Sequence, residues 1–230
     1  MELSKRLQAV ADLVSPGLTV ADVGTDHGYI PIYLMLTGKS TKAIAMDINK
    51  GPLERAKEHI EAYGLQEKIE TRLSNGVAKL VPNEVECVVI AGMGGALTVQ
   101  IMEEGKEVFK QLKEFILQPQ SELYKVRKYL TEHSYQIVAE DMVLEDGKYY
   151  PMMRVLQGED RDYTDIELLY GKHLLKGQNS TLKAFLEKEE GKKKLILEKL
   201  NQEIGAHIEV RKSEIEEELR GIEYALQRYY

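Results

Sequence analysis

Apolar and polar positions follow two different rhythms along this chain, and the change falls near residue 158. From residue 18 onward, short runs rich in β-branched residues are each followed by a stretch with helical spacing. LTVADV predicts a first strand. GYIPIYLMLTG predicts the helix after it, with Pro31 in the first turn, where a missing N–H costs nothing. KAIAMDI predicts a second strand, and GPLERAKEHIEAYG a second helix, opened by Pro52 and closed by Gly64. KIETRL and VECVVIAG predict the third and fourth strands, the latter apolar on both faces. GALTVQIMEEGKEVFKQL predicts one helix running through Gly105, EFILQP a fifth strand, and SELYKVRKYLTEH the helix behind it. The opening residues, MELSKRLQAVADLVS, have amphipathic helical spacing and lack the continuous apolar core of a signal peptide.

Strand–helix alternation of this kind implies a parallel sheet with helices on both faces. YQIVAEDMVL and YYPMMRVLQ then read as two strands joined by a tight turn at Asp146-Gly147, an antiparallel hairpin. Five parallel strands closed by a hairpin depart from the dehydrogenase pattern. They resemble the Rossmann-like α/β sheet of class I methyltransferases.

Past residue 158 no strand signal remains. Ile204, Ile208, Ile215, Leu219, Ile222 and Leu226 form a heptad-like seam. The preceding segment carries its own apolar stripe, interrupted at Gly177-Gln178-Asn179. The expected organisation is a Rossmann-like domain over 1–158 and an α-helical coiled-coil domain over 159–230, folded as a helical hairpin.

Composition narrows the possibilities without naming a function. The chain has 230 residues, enough for one large domain or one domain with an appendage. Its single cysteine, Cys87, lies in an apolar strand run and excludes a disulfide framework and a cysteine-rich zinc site. No metal and no membrane segment are expected, and a cytoplasmic monomer is the default. The net charge of −7 argues against a whole-surface nucleic-acid binder but permits a local basic face. Between residues 168 and 200, eight lysines (172, 176, 183, 188, 192, 193, 194 and 199) face four glutamates. Lys5, Arg6, Lys39, Lys42, Lys50 and Arg55 add positive charge to the first domain.

The first turn, VADVGTDHGYIP, carries the chemistry. In a doubly wound sheet, ligands bind beyond the carboxyl ends of the strands near the topological switch point. Here Gly24 and Gly28 frame Asp26, which stands where a dinucleotide fingerprint has its middle glycine. A pyrophosphate needs bare backbone N–H groups and no nearby anion. Two like unit charges at about 4 Å cost about 1 kcal/mol in water and about 4 kcal/mol at an effective dielectric of about 20. The turn therefore disfavours NAD. It suits a ligand with a cationic end and no phosphate, as S-adenosylmethionine is. Asp22 would face its ammonium, and Asp26 the reacting end. Asp47, at the tip of the second strand, suits ribose hydroxyls, with Ile48 beside it. Asn75 in LSNGVAKL suits the adenine edge. Ala91, Gly92 and Met93 in IAGMGG let backbone approach the ligand. The bland alternative for Asp22 or Asp26 is a helix cap, and for the glycine run a tight turn with no chemistry.

ADVGTDHGYIP, AMDI, SNG, IAGMGG and ILQP, in this order, resemble the bacterial TrmK family of tRNA (adenine-N1)-methyltransferases acting on position 22. The resemblance covers the whole chain. It implies a class I methyltransferase domain with a coiled-coil C-terminal domain, S-adenosyl-L-methionine as cofactor and tRNA as partner. Carried onto this sequence, the cofactor pocket falls on Asp22, Gly24, Asp26, His27, Gly28, Asp47, Ile48, Asn75, Gly76, Ala91, Gly92 and Met93. Asp26, His27, Tyr29 and Met93 stand as catalytic candidates. Gly28 and Asn75 occupy positions where some members have Ala and Asp. A same-fold methyltransferase with another acceptor, an NAD-binding oxidoreductase and a non-catalytic coiled-coil adaptor are the competing readings.

Overall fold

The computed structural model describes residues 1–160, 162–202 and 205–229. The chain divides into two compact units, residues 1–162 and 163–230.

The first unit opens with α1 (Lys5–Leu13), capped by the Ser4 hydroxyl, which accepts from Leu7 N. Then follow β1 (Leu18–Val23), α2 (Tyr29–Leu36), β2 (Ser40–Asp47), α3 (Lys50–Ala62), β3 (Ile69–Leu73), β4 (Cys87–Ala91), α4 (Gly95–Glu104), α5 (Lys106–Phe109), β5 (Glu114–Gln118), α6 (Leu123–Glu132), β6 (Tyr135–Glu145) and β7 (Lys148–Gln157). Among the described residues the strands form one seven-stranded sheet, ordered β3-β2-β1-β4-β5-β7-β6. β3 through β5 pair in parallel, whereas β7 joins β5 and β6 antiparallel. The hairpin turn uses Asp146 and Gly147, both at positive φ, as a two-residue turn of this hand requires.

The period-2 pattern sorts the core into two layers. Cys87, Val89, Val20 and Ile116 pack with Ile32, Ala56 and Ile60 on one face. On the other, Phe115 meets Phe109 and Tyr135 edge-on, with centroids 5.2 and 5.1 Å away. Cys87 is fully buried, and burial pushes its thiol well above the usual range, so it is a core residue.

The helix expected to run through Gly105 is broken there into α4 and α5. A Cβ on Gly105 would stand 2.1 Å from Val77 Cγ2. The backbone closes against the neighbouring loop at this point and leaves helical geometry to do so.

The second unit contains α7 (Asp165–Tyr170), α8 (Lys172–Lys176), α9 (Ser180–Leu200) and α10 (Ala206–Leu226). Thr164 and Glu167 form a reciprocal capping box on α7, and the Asn179 side chain caps α9. The Gly177-Gln178-Asn179 interruption falls between α8 and α9. Gln178 Nε2 donates to Arg228 O and the Tyr229 hydroxyl to Asn179 O, closing an antiparallel helical hairpin. Ile208, Ile215, Leu219, Ile222 and Leu226 are buried as the seam requires, while Ile204 lies outside the described residues. No described helix is long and apolar enough to cross a membrane.

Candidate active site

The strand order reverses between β1 and β4, so a crevice opens beyond their carboxyl ends. A cavity of about 310 Å³ lies there, lined by Arg6, Leu7, Asp22, Gly24, Asp26, Tyr29, Ile30, Ala91, Gly92 and Gln120.

Asp22 dominates its electrostatics. It is 5% exposed, on the central strand between β2 and β4. Burial raises its carboxyl from 3.8 to about 6. Asp47 pushes in the same direction; Thr25 and Arg6 oppose. The Thr25 hydroxyl influences Asp22 by proximity, since it makes no well-formed hydrogen bond. At neutral pH the cavity thus holds an anion with little protein compensation, which is where a cationic ligand group gains most.

The turn after β1 is held by Gly24 N and Thr25 N, which both donate to Met46 O at 2.8 Å. Gly24 has φ +78°, and a Cβ there would lie 2.1 Å from Met93 Cε. Met93 therefore roofs this turn. His27 and Gly28 follow in the left-handed region at φ 61° and 68°. Such a conformation is strained for histidine. Gly28 brings α2 close to α3, its missing Cβ lying 3.3 Å from Ala56 Cβ. It is also the N-cap of α2, and no side chain caps that helix. The helix-cap explanation of Asp22 and Asp26 therefore fails.

Asp26 is exposed at the cavity mouth. Its Oδ1 takes a hydrogen bond from Arg55 Nη2 at 2.9 Å and lies 3.5 Å from His27 Nε2. The rings of His27, Tyr29 and His59 stack on one another, with centroids 5.1 to 5.6 Å apart. His59 Nδ1 also bonds the His27 carbonyl at 3.0 Å. An aromatic platform thus flanks the mouth, one member of which, Tyr29, lines the cavity.

The opposite wall is made by the turns after β4 and β5. Gly92 N donates to Gln118 O, and Gln120 N to Met93 O. Two of the three glycines of AGMGG, Gly92 and Gly95, have different duties. Gly92, at φ +85°, lines the cavity. Gly95 serves packing: a Cβ there would meet Ser121 O at 2.4 Å and both Glu122 Cβ and Val126 Cγ2 at 3.0 Å. Gly95→Ala should destabilise the first unit by about 2–3 kcal/mol, because a backbone carbonyl cannot swing aside. Urea unfolding checks this, and an unchanged midpoint would contradict it.

The sequence-derived candidates separate accordingly. Asp22, Gly24, Asp26, Tyr29, Ala91 and Gly92 line one cavity; His27, Gly28 and Met93 frame it. Asp47 and the exposed Ile48 stand at the tip of β2, where Asp47 Oδ1 accepts from Asn49 N at 2.7 Å. Asn75 and Gly76 line a separate recess of about 20 Å³ with Ile101 and Gly105. Sequence reasoning missed Leu7, Ile30 and Gln120, and treated Arg6 only as diffuse charge. The LQPQ run at the end of β5 could have flagged Gln120, because ligand sites gather at strand ends. Among the described residues no cluster of His, Cys, Asp and Glu is arranged to hold a metal.

A parallel sheet with a closing antiparallel hairpin, and an acidic glycine turn at its switch point, define the class I methyltransferase architecture. Residues 3–153 match the family model described as a methyltransferase domain. The tRNA (adenine(22)-N(1))-methyltransferase of Bacillus subtilis is 38% identical over 186 residues, 78% of either chain. A Streptococcus pneumoniae protein solved in complex with S-adenosyl-L-methionine is 34% identical, with a TM-score of 0.88 over 98% of this chain and 100% of its own. The Mycoplasma capricolum TrmK, solved with S-adenosyl-homocysteine, is 29% identical, with a TM-score of 0.86 over 100% of both chains. The chain belongs to the tRNA (adenine(22)-N(1))-methyltransferase family.

Proposed function

We propose that the chain methylates N1 of adenine 22 in the D-arm of bacterial tRNA, with S-adenosylmethionine as donor. The observation that carries this reading is the 38% identity to the Bacillus subtilis enzyme across 78% of both chains. The residues present fit the cofactor. Asp22 offers a buried, poorly compensated carboxylate to its ammonium, and Gly24 gives a turn with no Cβ in the way. Asp47 stands ready for the ribose hydroxyls, Ile48 for a ring face and Asn75 for the adenine edge. When bound, S-adenosylmethionine supplies an electrophilic methyl group.

Neutral adenine keeps its N1 lone pair, so no residue has to remove a proton before methylation. The work of this chain is orientation, which can supply about 7–11 kcal/mol. A paired adenine must leave its stack, at a cost of a few kcal/mol. Tyr29, backed by His27 and His59, offers a ring to receive it. Met93 packs at the edge of the site. Methylation at N1 makes the base cationic, and Asp26 at the mouth can stabilise that charge or accept from the N6 amine.

Labelled S-adenosylmethionine and unmodified tRNA test the reading. Label should appear in N1-methyladenosine and vanish when adenine 22 of the tRNA is replaced. Label in another nucleoside would transfer the question to a different acceptor. Asp26→Asn should lower turnover about 10- to 100-fold with little change in cofactor affinity. Full turnover would remove Asp26 from the mechanism.

We also propose that the helical unit contributes phosphate contacts. The lysine excess between residues 168 and 200 supports this. Against it, Lys192, Lys193 and Lys194 are paired with Glu189, Glu218 and Glu190. Phosphate contacts made by these lysines would exchange one anionic partner for another. Replacing the three by alanine should then weaken tRNA binding and flatten its salt dependence. An unchanged salt slope would exclude them.

A further inference from the structure

We infer that Arg55 and His59, one turn apart on α3, are positioning residues that hold Asp26 with one carboxylate oxygen free for the exocyclic amine of the acceptor adenine. This rests on the acceptor reading above and chooses between the two tasks given there to Asp26.

Three residues of one α3 face meet three consecutive residues of the turn after β1. Arg55 Nη2 donates to Asp26 Oδ1 at 2.9 Å. Ala56 takes the close approach of Gly28, whose missing Cβ would lie 3.3 Å from its own. His59 Nδ1 bonds the His27 carbonyl at 3.0 Å. A carbonyl only accepts, so that nitrogen carries the proton. His27 sits at φ 61°, a conformation that persists only where the surroundings impose it. The bond from His59 imposes it here, together with the packing of the two rings at a centroid distance of 5.2 Å.

The consequence falls on Asp26. His27 Nδ1 is buried with no hydrogen-bond partner, and an orphaned buried N–H is rarer than an orphaned acceptor. The His27 proton therefore belongs on Nε2, which lies 3.5 Å from Asp26 Oδ1. Both neighbours address that one oxygen. Oδ2 takes no hydrogen bond from any described residue, on a side chain that lines the cavity. With 65% of the Asp26 side chain and 45% of Arg55 exposed, their ion pair adds little to stability, and its effect is orientation. Arg55 also answers the charge of Asp26 before any base arrives. The carboxylate is thus better suited to accept a hydrogen bond than to serve as the counter-charge of a methylated base. In adenine the N6 amine stands beside N1, so presenting N1 to the methyl group brings that donor with it.

The test compares two acceptors that differ only in the amine. Methyl transfer is measured as kcat/KM on tRNA with adenine at position 22 and on the same tRNA with purine there, which keeps the N1 lone pair. The lower basicity of purine N1 acts equally on every variant, so the change in the adenine-to-purine ratio is the readout. Arg55→Ala should shrink that ratio about 5- to 20-fold, part of the value of a charge-assisted hydrogen bond. Arg55→Lys should restore part of it. His59→Phe, which keeps a ring and loses the donor, should shrink it several-fold. His59→Asn, which keeps a donor, should shrink it less. Equal loss on both tRNAs in the Arg55→Ala and His59→Phe variants, or an unchanged ratio, would overturn the assignment. Failure of the wild-type protein to methylate either tRNA would overturn the acceptor reading beneath it, a result distinct from an unchanged ratio.

Discussion

Asp22→Asn should make the ligand-free protein more stable and its cofactor binding far weaker. The carboxyl is raised to about 6 by burial, against 3.8 when free. Its ionised form therefore costs the fold about 3 kcal/mol at neutral pH. The sign follows from the direction. With the folded value above the unfolded one, protonated Asp22 contributes stability that is full below about pH 4 and lost as pH rises through about 6. Asparagine keeps the shape without the charge and should recover about 1–2 kcal/mol, a rise in Tm of about 2–8 °C. A thermal melt that shows a lower Tm would contradict the desolvation account.

Binding should move the other way. Leaving the ligand's ammonium without its counter-charge costs about 2–5 kcal/mol, or about 30- to 5000-fold in Kd. Wild-type affinity should also fall about tenfold per pH unit below pH 6, as the carboxylate is protonated. The groups that bear on Asp22 are Thr25, Asp47 and Arg6. The Asp22→Asn variant should show no such slope. A parallel slope in both proteins would place the titrating group elsewhere.

Arg127→Met should cost about 3–5 kcal/mol, lowering the Tm of the first unit by about 6–20 °C. Arg127 on α6 is 1% exposed, and its Nε donates at 2.8 Å to Glu140 on β6, whose side chain is fully buried. Removing the cation leaves an anion in the interior. Arg127→Met with Glu140→Leu should regain at least half of the loss, because an apolar pair of similar volume removes both desolvation costs. A single variant within about 1 kcal/mol of wild type by urea unfolding would contradict the buried-pair account.

Much of the site was legible because strand-end turns advertise themselves. Gly24, Asp26 and Gly28 follow a buried strand directly, and Asp47 and Gly92 stand at the next relevant tips. These positions are set by local backbone geometry, which leaves marks in composition. His59 and Arg55, four residues apart on α3, read as a charged helix face. Only the packing of α2 on α3 turns that face into a platform beside Asp26 and Tyr29. The lysine run shows the converse. Its local excess of charge is plain in the sequence, but Glu218 comes from another helix and neutralises Lys193 there.

By itself the sequence determined the element order, the parallel sheet with its hairpin, the helical second unit and the acidic turn. All of these follow from periods of two and 3.6 residues and from turn chemistry confined to a few neighbours. Tertiary structure decided which residues meet across long stretches of chain. Arg6 reaches Gln118 over 112 residues, Gly95 yields its Cβ to Ser121, and Gly105 breaks a continuous helix for Val77. No local pattern encodes such contacts, because the free energy that selects them comes from close packing and desolvation, which exist only once the elements are assembled.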